Sequence, residues 1–189
     1  MMWNSFADFD GENRPKGTIN FESFEAKTWV DNFIREFQRY STGNKGDYAR
    51  LFYAKNAGGF DKYDFKTNGI KEGQLSQEAL LQYVYRGSQL TKGVFVSARD
   101  VGNFAAGSIA RITNQSKLDF MLTAGAFNMH GNSKVDLLLH LDRYKEEARK
   151  AGFPAYGESL FSNFFQRAGY ENIRSSNEYR KEYFKFWHD

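Results

Sequence analysis

The chain has no cysteine among its 189 residues, which excludes disulfides, thiolate metal sites and a cysteine nucleophile. The compartment stays open, because secreted proteins also lack cysteine. Histidine is scarce: His130, His140 and His188 are the only three, and no pair has the HExxH spacing of a zinc site. Long apolar runs are missing, and no window approaches the roughly 18 apolar residues that a membrane span requires. The segment Met1–Asp8 has neither a basic n-region nor an apolar h-region, so no cleaved secretory signal is expected and any export needs another route. Net charge is only +3, so composition alone does not give the broad basic footprint of a nucleic-acid-binding surface. A GxSxG elbow, a Walker loop and a dinucleotide fingerprint are all absent.

Rings are plentiful. Aromatic residues make up 17% of the chain, with 19 Phe and 11 Tyr, so the core is expected to be aromatic rather than aliphatic. Residues 1–20 carry Asp8, Asp10, Gly11, Pro15 and Gly17 and read as a loop-rich lead-in. The run Asp8–Asn13 hints at calcium-loop spacing but lacks the full set of oxygen donors and the closing bidentate Glu of such a loop. No metal and no cofactor are expected. Helical apolar spacing covers Phe21–Tyr40, Asp47–Lys55, a segment from a Ser76 cap to Arg86, and Lys117–Met129. It resumes over Lys134–Lys150 after a Ser133 cap, over Ser159–Ala168, and in the aromatic and basic segment Ser176–Asp189. The reading is a single compact, mainly α domain over residues 21–189, with a short strand or hairpin near 60–66 and another near 93–97.

The stretch Ser97–Arg111 organises the rest. Val101, Phe104, Ala105, Ser108, Ile109 and Ile112 recur at the spacing of a buried helical stripe. Gly102 and Gly107 each cost about 1 kcal/mol there relative to alanine, so a backbone or a ligand is expected to come close. Tight helix packing is the simpler explanation. The segment Asn56–Gly69, with its Gly58-Gly59 and Asn68-Gly69 turns, reads as an ordered loop bearing Asp64 and Lys66. His130 sits in a turn where a general base is possible, and His140 reads as an ordinary helix residue. Asp, Lys, Arg, Asn, Tyr and Glu beside glycines suit a metal-free acid–base site with cationic stabilisation of a developing anion. They suit a solvated surface equally well.

Gly58-Gly59-Phe60-Asp61 with Tyr63-Asp64-Phe65-Lys66, then Asp100-Val101-Gly102-Asn103-Phe104 followed by Gly107, resemble the bacterial polymorphic toxin type 44 family. Tyr156-Gly157-Glu158 and Arg167-Ala168-Gly169-Tyr170 continue the resemblance, and the opening helix with Trp29 and Phe33 is similar to the family's first segment. The matched pieces lie within residues 28–171. Two positions depart from the family pattern: Ser159 and Leu160 follow Glu158 where the family is more acidic, and Phe60 stands where tryptophan is common.

The resemblance implies an antibacterial effector used in competition between bacteria. It would be cytoplasmic in the producer, delivered into the target cell without a cleavable signal by a secretion apparatus or carrier protein, and neutralised by a cognate immunity protein. It points to Asp64, Lys66, Asp100 and Asn103 as catalytic residues, with Arg99, Arg111, Tyr156 and Glu158 binding substrate. A nuclease acting on RNA or DNA is slightly preferred. A cell-wall glycan hydrolase pairing Asp100 with Glu158 is the alternative, and a non-enzymatic helical interaction domain is the third reading. A nuclease requires Asp100 and Asn103 in a cleft bordered by Lys and Arg. A glycan hydrolase requires two facing carboxylates in a groove, and an interaction domain requires Asp100 and Asn103 as satisfied capping or core groups with no cleft.

Overall fold

A computed structural model describes residues 34–38, 44–61, 63–67, 70–84, 87–91, 94–130, 136, 139–171 and 181. The lead-in, the Asp8–Asn13 run, the Ser133 cap, the segment Ser176–Asp189 apart from residue 181, and the first helix apart from residues 34–38 lie outside them. The described part is mainly α. In order it runs α1 (Asn44–Asn56), α2 (Gln77–Val84), β1 (Gly87–Thr91), β2 (Val94–Ser97), α3 (Ala98–Ile112), α4 (Lys117–His130), α5 (Leu141–Ala151) and α6 (Leu160–Tyr170). Among the described residues no helix is long and apolar enough to cross a membrane.

The central stretch is α3, and its stripe is buried as the spacing predicts: Val101, Phe104, Ala105, Ser108 and Ile109 are inaccessible and Ile112 is half-buried. Its start is fixed by a capping box that the apolar pattern does not reveal. Ser97 Oγ accepts from the Asp100 amide at 3.2 Å, and Asp100 Oδ2 accepts from the Ser97 amide at 3.0 Å. Two of the otherwise orphaned amides at the helix start are thereby satisfied. Ser76, Ser116 and Ser159 perform the one-sided version for α2, α4 and α6, each accepting from the amide three residues on at 3.2 Å.

Helix α3 packs principally on α6. The contact is close because both helices present glycine: a Cβ on Gly107 would lie 1.9 Å from Gln166 O, and one on Gly169 would lie 1.9 Å from Phe104 O. Packing is therefore the correct reading for Gly107. Ser108 Oγ crosses the same seam, 3.0 Å from Phe104 O and 3.1 Å from Gly169 O. One core gathers Ile34, Leu90, Val96, Val101, Phe104, Phe164 and Phe165 around this seam. A second joins Phe37, Ala49, Tyr63 and Ile109, and a third joins Ala110, Phe120 and Met121. Helices α4 and α5 pack together beside them. The expected aromatic core is present, with Phe164 edge-on to Phe165 and Phe37 edge-on to Tyr63.

Three local expectations are refined. The strand near 93–97 is β2, and it pairs antiparallel with β1 from Gly87↔Ser97 to Thr91↔Val94, with an irregularity between Gln89 and Thr91. Among the described residues no strand or hairpin forms near 60–66, because the amides there bond back along the chain. Asp61 N donates to Gly58 O, Asp64 N to Asp61 O and Thr67 N to Asp64 O, at 3.0, 3.1 and 3.2 Å. These are successive turns, with Phe60 at a φ of +65°. The helix expected over Lys134–Lys150 is not one piece either. His140, at φ −121° and ψ 23°, departs from helical geometry and stands as the N-cap of α5.

Candidate functional site

Helices α1, α3, α4 and α6 and the turns at 58–67 enclose a cavity of about 460 Å3. Five of the residues singled out in the sequence line it: Asp64, Lys66, Arg99, Asn103 and Glu158. They come from three separate parts of the chain, so their convergence is a product of the fold. Gly102 also lines the cavity, and a Cβ there would meet only Phe65 Cβ at an ordinary 3.8 Å. The two glycines of α3 thus differ, Gly107 serving a helix seam and Gly102 facing the open space.

The turns hold Asp64 in place. Its side chain is buried and accepts from Thr67 Oγ1 at 2.7 Å, while Thr67 Oγ1 accepts from the Phe60 amide at 2.8 Å. Lys66 Nζ stands 3.7 Å from Asp64 Oδ2 and is itself partly exposed. Across the wall, burial and the neighbouring Asp64 charge raise the Tyr53 phenol far above its ordinary value. Tyr53 therefore remains a neutral hydroxyl over the whole range in which proteins operate.

Glu158 follows a turn in which Tyr156 and Gly157 have φ values of +50° and +87°. The left-handed pair reverses the chain before α6 and leaves Glu158 next to the Ser159 cap. Burial pushes the Glu158 carboxyl above the usual carboxylate range, against the opposing pull of the Ser159 amide, Gln166, Arg99 and Lys66. Glu158 Oε1 accepts from Ser159 N at 2.8 Å and Oε2 accepts from Gln166 Nε2 at 3.2 Å. The same Gln166 nitrogen donates to Asn103 Oδ1 at 3.3 Å. Arg99 Nη2 reaches Ser162 Oγ at 3.2 Å, which orients the guanidinium along the wall formed by α6.

The remaining three sequence-derived residues lie elsewhere. Asp100 does not line the cavity; Ser97 Oγ donates to its Oδ2 at 2.6 Å, and its carboxylate completes the cap. Burial raises the Asp100 carboxyl above its ordinary value despite those bonds and the nearby Arg99 charge. Arg111 is exposed and sits over the Tyr170 ring, 5.6 Å from its centroid. Tyr156 packs against the core around Phe120, with its carbonyl so close to Gly125 that a Cβ there would lie 1.7 Å away. His130 is also remote, stacked on Tyr144 at 3.9 Å and paired with Glu147 at 2.7 Å.

Sequence reasoning missed Arg50, Tyr53, Ser162 and Gln166, all in the cavity wall. Arg50 bonds Asp47 and the Thr113 carbonyl, tying α1 to the end of α3. Nothing in the local sequence marks Arg50, Tyr53 or Ser162. Only Gln166 had a pointer, since it adjoins the Arg167–Tyr170 segment on the helix that follows Glu158.

Among the described residues the charged lining groups are three cations, Arg50, Lys66 and Arg99, against two carboxylates, Asp64 and Glu158. Such a cavity suits an anionic ligand, and it adds a carboxyl whose affinity for protons is raised by burial. Among the described residues no three His, Asp or Glu side chains gather as a metal-ligand set. Compared with protein-family models, with curated proteins and with solved structures, the chain finds no match.

Proposed function

We propose that this chain is an antibacterial effector domain of the polymorphic toxin type 44 kind, acting as a nuclease on RNA or DNA in the target cell. The observation that carries this reading is Glu158, a half-buried carboxyl that lines one cavity together with Lys66 and Arg99, whose charges both bear on it. In the reaction Glu158 moves a proton to or from the attacking or leaving oxygen. Lys66 and Arg99 balance the charge that builds on the phosphoryl oxygens. Asp64, held by Thr67, positions Lys66, and Asn103 supplies an amide to the substrate. Asp100 acts through the capping box that fixes the start of α3, and so sets the direction in which Arg99 and Asn103 point.

A glycan hydrolase built on Asp100 and Glu158 is disfavoured, because Asp100 lies outside the cavity. One observation favours the interaction-domain reading: Asp100 is a satisfied capping group, as that reading requires. The cavity and its cations weigh on the other side. In the producing cell an immunity protein neutralises the domain.

The test expresses wild type and Glu158→Gln in bacteria, in the cytoplasm and, with an added signal, in the periplasm. Purified protein is then incubated with RNA, single-stranded DNA and duplex DNA. Cytoplasmic toxicity and cleavage by wild type alone are expected. Toxicity confined to the periplasm redirects the reading to the envelope, and harmless expression in both compartments removes the effector reading.

A further inference from the structure

Gln166 is a buried polar side chain, only 4% exposed, on the face of α6 that walls the cavity. Its amide nitrogen bonds two groups at once, Asn103 Oδ1 at 3.3 Å and Glu158 Oε2 at 3.2 Å. Its carbonyl oxygen is buried and has no hydrogen-bond partner among the described residues. The orientation of the amide follows from the acceptors. Turned over, Gln166 Oε1 would face a carbonyl and a carboxylate oxygen, acceptor against acceptors. The side chain therefore satisfies its neighbours and leaves itself unsatisfied, which an apolar residue of the same length avoids. A residue serving the helix seam alone gains nothing from that arrangement.

We propose that Gln166 is the positioning residue of the site, with its one NH2 group tying the Glu158 carboxylate to Asn103 so that both present a single edge to the substrate. The fold enforces the geometry from the opposite side. The backbone of Gln166 is seated on Gly107 of α3, four residues beyond Asn103, so amide and acceptor cannot slide apart. The charged groups that bear on Glu158 are Arg99 from α3 and Lys66 from the turns at 58–67. Ser159, at the start of α6, adds a backbone donor. Gln166 joins Glu158 by hydrogen bonds to a second cavity-lining side chain, Asn103.

This inference rests on Glu158 being the proton-transfer group, and the experiment separates the two. The Glu158 carboxyl of the full chain is titrated by 13C NMR in wild type, in Gln166→Met, which keeps length and helix preference, and in Gln166→Asn, which withdraws the amide by one methylene. Losing a donor to the carboxylate favours the protonated form, so the midpoint is expected to rise by about half a unit to one unit in both variants. In cleavage assays kcat is expected to fall about tenfold with KM little changed, and the acidic limb of the rate profile to move up with the NMR midpoint. An unmoved midpoint in the two folded variants overturns the positioning role, as does a loss of kcat that only tracks a loss of folded protein. Full cleavage by Glu158→Gln removes Glu158 as the proton-transfer group instead, while the NMR result still decides whether Gln166 holds Glu158.

Discussion

Gly107 lies against the carbonyl of Gln166 so closely that a side chain there has no room, a Cβ falling 1.9 Å from that oxygen and 2.8 Å from Tyr170 N. Both obstacles are backbone and cannot swing aside. Gly→Ala inside a helix ordinarily gains about 1 kcal/mol. Here overpacking outweighs the gain, and Gly107→Ala is expected to destabilise the chain by about 1–3 kcal/mol or more. Gly169→Ala should behave alike, because its Cβ meets Phe104 O at 1.9 Å. Gly102→Ala is the contrast, with only Phe65 Cβ at 3.8 Å, and should leave stability unchanged or raised. Thermal unfolding of the three variants checks the ordering.

The capping box sets a second expectation. Ser97→Ala and Asp100→Ala each remove a side chain that satisfies an amide at the start of α3, at a cost of about 1 kcal/mol apiece. The two act on one motif, so the double variant should cost less than the sum of the singles. In cleavage assays, held at a temperature where the protein stays folded, Asp100→Ala should lower turnover only in part, through the loosened start of α3, while Glu158→Gln loses it. Complete loss in a folded Asp100→Ala protein would return Asp100 to the catalytic set.

Glu158 also marks the pH dependence of stability. Its carboxyl is raised in the folded chain, chiefly by burial, so the folded state binds its proton more tightly than the unfolded state does. The stability this contributes is fully present below the unfolded value. It is lost as pH rises through the raised folded value. Glu158→Gln removes the titration. It should therefore flatten the change in unfolding midpoint as pH rises above about 4, the unperturbed Glu value, and be relatively more stable at the higher pH. Asp119 and Glu171 act in the opposite sense. Burial pushes Asp119 up, but its bonds with Lys145 and Gln115 prevail and lower it, and Lys117 lowers Glu171. Their contribution is present above the unfolded values and fades in acid, so the two slopes are separable by comparing Glu158→Gln with Lys145→Met.

Periodicity revealed α3 because its stripe runs unbroken for four turns, and the aromatic composition foretold a core of rings. Shorter-range devices were less visible. Ser97-x-x-Asp100 has capping-box spacing, yet an acid beside arginines and glycines also reads as chemistry, and only burial and bonding separate the two. The turns at 58–67 follow from amides bonding three residues back, which alternation of Phe60, Tyr63 and Phe65 does not encode. Strand β1, Gly-Ser-Gln-Leu-Thr, has a single large apolar residue and forms because β2 offers it a partner. The break at His140 has no glycine or proline to announce it. Of the cavity, Asp64, Lys66, Arg99, Asn103 and Glu158 were legible as local clusters. Arg50, Tyr53 and Gln166 were not, because their place in the wall depends on helix–helix contacts distant in sequence.

A polyanionic substrate has a direct thermodynamic signature. Each cation that contacts a phosphate releases counterions, so binding weakens with salt in proportion to the number of such contacts. Lys66 and Arg99 line the cavity, whereas Arg111 is outside it over the Tyr170 ring. Binding of a labelled oligonucleotide to the Glu158→Gln protein, followed by fluorescence anisotropy against salt, should give a clear negative slope. Lys66→Ala and Arg99→Ala should each weaken binding and reduce that slope by about one. Arg111→Ala should leave slope and affinity nearly unchanged. A slope near zero in the parent, or one equally sensitive to Arg111, would place nucleic acid outside the cavity and leave Lys66 and Arg99 to act on a smaller anion.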